Sequence, residues 1–388
     1  MWRLFWSSQR RMLKLWLQCW KSGCDPERRG FHRVALVLLW PAVCLLQCLH
    51  WVGFILDALL FRGDHRVEIV EPLFVIGPPR SGTTHLHRVL AKDRRYSTFR
   101  TWECLFGLSI SARKLILAVA VADGWFGRPG KRLLSAIERR LWSKLDDVHP
   151  FSLTAPEEDF LCLLPLGWCF ILIVLFPHSD VLWQVAMLDR QEGDRARADW
   201  VRWYRRCVQK HLYVHGSGKR FLSKNPSFSG SVETLMEAFP DARFIVCSRD
   251  PEQLVPSQLS ALLPGLKAAG FPAMTETLQG RLVELLRLYF QHLDGVARAH
   301  PDRLAVIDNT ALRYRLKPAL ERAFEQLDQP LDEELRQALA EIGQEAGRVK
   351  SAHRYRLQDF DLSADDIHRG FADVYRRWRF NASGSVIR

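Results

Sequence analysis

Arg80, Thr83 and Thr84 lie in the stretch FVIGPPRSGTTHLHRVLAKD, which begins at Phe74. An apolar strand, a turn bearing glycines and an amphipathic helix follow one another there. That order aims backbone N–H groups and the positive end of a helix dipole at one spot, where an anion can sit. On the pattern G-x-x-x-x-G-K-[ST], Gly77 and Gly82 fit, but Thr83 stands in the place of the lysine and Arg80 supplies a cation from within the turn. A lysine at that point serves a γ-phosphate together with Mg²⁺. Its replacement points to a 5′-phosphate carrying a less charged group, held by Ser81, Gly82, Thr83 and Thr84.

A second anion grip is encoded in CSRDPEQLVPSQLSAL. Arg249 leaves the end of the apolar run RFIVC, and Ser257 follows eight residues later, after a Pro-bearing turn into a helix. A guanidinium and a hydroxyl converging from a neighbouring strand end would hold a second phosphate. Where a metal-binding carboxylate would be wanted, this strand runs into Ser248 and Arg249. One phosphate at each of two strand ends describes a nucleotide with both 3′ and 5′ phosphates, and no metal site is expected.

The elements that must position these groups alternate. Residues 73–76, 220–223, 243–247 and 304–307 read as short buried strands, and 85–91 and 229–238 as helices. This predicts an α/β fold, a P-loop-like parallel sheet flanked by helices, with ligands at the carboxyl ends of the strands. The chain divides into a basic, aromatic, membrane-associating segment over 1–67 and a catalytic domain over 68–388.

The front segment carries its own signal. From Val34 to Leu60 the chain reads VALVLLWPAVCLLQCLHWVGFILDALL, with no Asp, Glu, Lys or Arg before Asp57. As one helix it is long enough to cross a bilayer core of ~30 Å. Trp2, Trp6, Trp16 and Trp20 with Arg3, Arg10, Arg11, Lys14 and Lys21 precede it as an interfacial anchor. Three geometries follow: a single span, a hairpin broken at Pro41 with both flanks cytoplasmic, and a helical hairpin packed on the protein's own core. The expected location is the cytoplasmic face of a bacterial inner membrane, the alternative a span with a lumenal or periplasmic catalytic domain. Two further greasy runs, 110–122 and 160–177, flank the same active-site loop and point to a lipophilic substrate.

A hydrophobic share of 48% excludes a disordered chain, and the net charge of +12 suits anionic partners. No nucleic-acid-binding module accompanies that charge. The nine cysteines show no zinc spacing and read as free thiols.

Taken together, PRSGTT, KNPSF, FPDARFIVCSRDP with Ser257, and a late H-x-Y (His353 to Tyr355) before DFDL resemble the sulfotransferases that use 3′-phosphoadenosine 5′-phosphosulfate. The likeness is to the broad bacterial branch, with kinship to tyrosylprotein and carbohydrate sulfotransferases. It covers roughly residues 70–380 and leaves out the front end. The resemblance implies metal-independent, in-line sulfuryl transfer, with Arg80 on the phosphosulfate bridge and Lys224 on the leaving phosphate oxygens. Arg249 and Ser257 match the family's 3′-phosphate clamp. Glu103, in RTWECL, resembles the general base of the tyrosylprotein branch and is the favoured base. His149 with Glu157, Glu158 and Asp159 resembles the P-E-E-D block of the bacterial branch, an alternative source of the base or of acceptor orientation. Lys350 and His353 are candidates to close over the nucleotide. Rival readings are a carbohydrate or tyrosine acceptor, a P-loop kinase with an aberrant loop, and an inactive membrane scaffold.

Overall fold

Four apolar residues in a row, Leu73–Ile76, form β1 at the centre of the sheet, and all four are buried. A strand covered on both faces needs no polar alternation. The structure is a computed structural model that describes residues 2–18, 20, 30–142, 152–191, 194–348 and 356–380. Its sheet adds β2 (Tyr96–Ser97), β3 (Arg220–Lys224), β4 (Arg243–Ser248) and β5 (Leu304–Asp308), all parallel, in the order β2-β3-β1-β4-β5. Val75 pairs with Lys224 on one side and Ile245 on the other. The strand order reverses at β1, which opens a crevice at the carboxyl ends of β3, β1 and β4. Alternate side chains of β1 enter two cores. Phe74 and Ile76 face one, while Leu73 and Val75 face the other with Leu86 and Leu90.

At the front, α1 (Trp2–Gln18) and α2 (Gly30–Leu60) run antiparallel, since Phe5 meets Trp51 (5.3 Å) and Trp16 meets Trp40 (5.7 Å). α2 is one continuous helix through Pro41, so the expected break into two membrane-dipping halves does not form. A proline inside a helix removes one hydrogen bond, and a long apolar helix packed along one side can carry that loss. Gln47, His50, Trp51, Phe54 and Asp57 recur at helical spacing and are buried against the body, while Leu45, Leu49, Val52, Ile55, Leu56 and Leu59 are exposed. Leu4, Met12, Leu15, Trp51 and Phe54 share a core with Phe74 and Ile76, so the segment 1–67 packs into the domain that begins at 68. The two helices form an antiparallel pair with one side laid on the core, as in the third expected geometry, while much of α2 stays exposed.

The remaining elements bring the site together. α3 (Thr83–Leu90) follows β1, and α4 (Thr101–Leu105), α5 (Ile110–Trp125) and α6 (Pro129–Trp142) follow β2. α7 (Asp180–Ala186) and α8 (Asp194–His215) lead into β3, and α9 (Val232–Ala238) links β3 to β4. α10 (Pro251–Ala268) and α11 (Glu276–Ala299) link β4 to β5, and α12 (Asn309–Tyr314) leaves β5. The apolar run 160–177 folds into two largely buried 3-10 turns, Asp159–Leu166 and Phe170–Val174. α1 packs on the first of them. Arg11 stacks 3.7 Å from the ring centre of Trp168 and donates to the carbonyl of Leu166 (2.8 Å).

α2 is joined to the body by a buried ionic network. Asp57 accepts hydrogen bonds from the backbone N–H groups of Ile110 (2.7 Å) and Ser111 (2.8 Å), which start α5. It also pairs with Lys210 of α8 (2.7 Å), which reaches Asp64 at the same distance. Buried charges persist only where partnered in this way.

Candidate functional site

The loop from β1 to α3 is shaped by three left-handed residues, Gly77 (φ 132°), Arg80 (φ 69°) and Gly82 (φ 103°). A Cβ at Gly77 would lie 2.1 Å from the carbonyl oxygen of Cys247, and one at Gly82 would lie 2.6 Å from Asn309 Nδ2. Both glycines are therefore required by close approach as well as by backbone angle. Arg80 adopts its conformation without that freedom, a local strain that fits a residue whose side chain must be aimed. Ser229 Oγ accepts from Gly77 N (3.1 Å), and Asn309 Nδ2 donates to Ser81 O (3.0 Å), bracing the turn from both sides. Ser81 is fully buried, and its hydroxyl has no hydrogen-bond partner among the described residues. A buried orphan donor at a helix start fits the phosphate end of a nucleotide.

The second grip closes on the first. Arg80 Nε donates to Ser257 Oγ (3.1 Å), and Arg249 donates to the Arg80 carbonyl (3.3 Å). The loop cation, the strand-end arginine and the helix hydroxyl thus converge, although the sequence places them up to 177 residues apart. At the end of β3, Lys224 is buried with its ammonium 2.7 Å from Glu158 and 4.0 Å from Glu157. Behind it, Tyr204 donates to Asp159, and its oxygen lies 3.3 Å from the Ser223 hydroxyl, which can donate back to it. Burial raises the Asp159 carboxyl to about 7, the hydrogen bonds from Tyr204 and Ser223 opposing the rise.

Of these groups, Arg80, Glu157 and Glu158 border a cavity of about 690 Å³ with a mixed polar and apolar lining, while Ser81, Lys224, Arg249 and Ser257 are not among its lining residues. Arg80, Thr83, Thr84, Glu158, Ser227 and Asn309 supply polar lining. Phe160, Leu161, Phe170, Ile171, Ile173 and Leu262 supply apolar lining, most of them from the run 160–177. A pocket of this size with a few convergent polar groups is the usual form of a small-molecule site.

Glu103 is placed elsewhere. It is buried at the start of α4, where its carboxylate contacts His215 Nε2 (2.6 Å), Arg113 (3.1 Å), His211 (3.4 Å) and the Arg100 backbone N–H (2.8 Å). Burial alone would raise its carboxyl, but His211, His215 and Arg113 outweigh it and hold the group well below the ordinary range. Both oxygens are engaged, and Glu103 is not among the residues that line the cavity. His149, Lys350 and His353 lie outside the described residues.

Asn309, Ser227, Gln258 and Tyr289 also line the cavity, and sequence reasoning missed them. Only Asn309 carried a usable signal, as a polar residue just past the apolar strand LAVID. Tyr289 reads as one more core position on an amphipathic helix.

Residues 72–334 match the family model described as "Sulfotransferase family". Over 227 residues the chain is 28% identical to an omega-hydroxy-beta-dihydromenaquinone-9 sulfotransferase of Mycobacterium bovis, and equally to the one of Mycobacterium tuberculosis. That match takes in 56% of this chain and 53% of each relative, so the chain spans about half the length of the curated relatives it matches. Among solved structures, sulfotransferase STF9 from Mycobacterium avium superposes with a TM-score of 0.76 at 18% identity, over 97% of this chain and 93% of that one. Sulfotransferase STF1 from Mycobacterium tuberculosis gives 0.72 at 18% identity, over 95% and 92%. At such identity the likeness is one of fold. Its coverage leaves no room for the front helices to be wholly outside it, as the motifs alone had suggested.

Proposed function

The chain belongs to the sulfotransferase family, and from that premise we propose that it transfers a sulfuryl group from 3′-phosphoadenosine 5′-phosphosulfate to a hydroxyl on a lipophilic acceptor. The observation that carries the acceptor half is the cavity lining, in which Arg80 and the hydroxyls of Thr83, Thr84 and Ser227 share one space with Phe160, Leu161, Phe170, Ile171, Ile173 and Leu262. The relatives named for a menaquinone-derived substrate support the same class.

In this reading Ser81, Thr83, Thr84 and the loop backbone hold the 5′-phosphate, and Arg249 with Ser257 holds the 3′-phosphate. Arg80 spans the two. The acceptor oxygen forms a bond to sulfur as the bond from sulfur to the phosphate oxygen breaks, releasing adenosine 3′,5′-bisphosphate. Lys224 stabilises charge developing on the leaving oxygen, and Arg80 stabilises the equatorial oxygens. Glu158 takes the acceptor proton, since it lines the cavity 2.7 Å from Lys224.

One helix among the described residues, Val34–Leu60, is long and apolar enough to cross a membrane. Because one of its faces packs on the body, the reading favours α2 lying in a single leaflet with its other face toward lipid. The basic α1 favours the cytoplasmic side.

The deciding experiment incubates membranes and purified protein with donor bearing radiolabelled sulfur. Label is expected in the organic extract; label confined to the aqueous, carbohydrate-bearing fraction would overturn the lipophilic acceptor. For the donor, Arg249→Ala is expected to weaken adenosine 3′,5′-bisphosphate by roughly 10- to 100-fold, the worth of charge-assisted hydrogen bonds. ATP affinity should not change, and equal loss of both in calorimetric titration would return the site to a kinase-like reading.

A further inference from the structure

We infer that the helical hairpin of α5 and α6 is a second membrane contact, separate from α2, and docks on a bilayer surface bearing anionic phospholipid headgroups. The stem of the hairpin is apolar all round. Between Lys114 and Asp123 the chain reads LILAVAVA, and residues 117–121 are all exposed in succession. In a surface helix of a soluble protein one side of such a run would be covered. Here the second half of α5 projects from the body with no face committed to it.

The tip has a different character. Trp125 and Phe126 are 80% and 79% exposed, and Arg128, Lys131 and Arg132 follow them around an open hollow of about 380 Å³. The one acid from 114 to 137 is Asp123, and its two oxygens are occupied by the backbone N–H groups of Gly130 (2.6 Å) and Lys131 (3.0 Å) at the start of α6. Leu133, Leu134 and Ile137 then expose an apolar stripe along α6. Apolar stem, aromatic shoulder and cationic tip follow the order of hydrocarbon, interface and phosphate in a leaflet.

Length fixes the depth. Leu115 to Phe126 spans about 18 Å as helix, too short to cross a core of about 30 Å. The hairpin therefore lies within one leaflet. It is also continuous with the exposed side of α2. Gly53 of α2 abuts Ser109, where a Cβ would come within 2.4 Å of its hydroxyl, and Asp57 starts α5.

The test reconstitutes the full-length protein in detergent, in phosphatidylcholine vesicles, and in phosphatidylcholine vesicles containing phosphatidylglycerol, and reads amide hydrogen exchange over 115–134. Protection at least tenfold greater with phosphatidylglycerol is expected. In R128Q/K131Q/R132Q that gain should vanish and vesicle partitioning should fall roughly 100-fold, at about one kcal/mol per cation. Equal protection in both vesicle types, or none, would overturn the inference. So would protection in detergent that grows with protein concentration, which would mark a contact between copies. The variant should still sulfate a short-chain, water-soluble acceptor at the wild-type rate, so failure here is distinguishable from failure at the donor site.

Discussion

Lys224→Met should lose about 10²- to 10³-fold in kcat while binding adenosine 3′,5′-bisphosphate within a few-fold of the wild type. The split follows from position. The ammonium is buried at the carboxyl end of β3, beside the loop strand through the Val75 register, and its close polar contact is Glu158. A cation held there acts on charge that appears only as the leaving oxygen departs, so its removal costs more in the transition state than in binding. Methionine keeps the length of the stem and limits repacking of the wall. Single-turnover transfer of labelled sulfate gives the rate, and titration with the bisphosphate gives the affinity. A kcat within threefold of wild type in a folded variant would remove Lys224 from the chemistry.

Two carboxylates then separate by opposite signatures. Glu158→Gln should lower kcat by about 10²- to 10⁴-fold, the usual worth of a general base, with a stability loss confined to its one pairing with Lys224, whose ammonium can still donate to the amide oxygen. Glu103→Gln should do the reverse. It breaks a buried cluster with Arg113, His211 and His215, a loss of about 3–5 kcal/mol in stability, and leaves the rate per folded molecule nearly unchanged. The pH dependence has a definite sign. The Glu103 carboxyl is depressed below its ordinary 4.5, so its stabilising share is full above that pH and fades on acidification. The stability gap between wild type and Glu103→Gln should therefore narrow as pH falls below 4.5, as measured by chemical denaturation. A dead but stable Glu103→Gln would restore it as the base.

The contrast between these carboxylates shows what could be read in advance. Strands buried on both faces announce themselves as apolar runs, so four of five were placed within a residue, whereas β2 is two residues long and too short to stand out. The turn after β1 was legible because its glycines at fixed offsets are demanded by local geometry. Glu103 was not, because its partners His211 and His215 sit one turn apart on α8, over a hundred residues away. Nothing in the local stretch RTWECL betrays them. Its local pattern was instead that of a helix start, with Glu103 accepting from the Arg100 N–H. Hydropathy likewise found α2 but not the stripe of Gln47, His50, Trp51, Phe54 and Asp57 that ties it down.

In the proposed membrane-bound state, that tie changes what can happen to the enzyme. An anchor on a slack stalk can be clipped by a protease, and the head then drifts free as an active fragment. Here a cut that removed α2 would strip Lys210 of one of its two carboxylates, bare the indole of Trp203 where Phe54 stacks on it at 4.7 Å, and undo the cap of α5. Shedding would be a way of destroying this enzyme rather than releasing it.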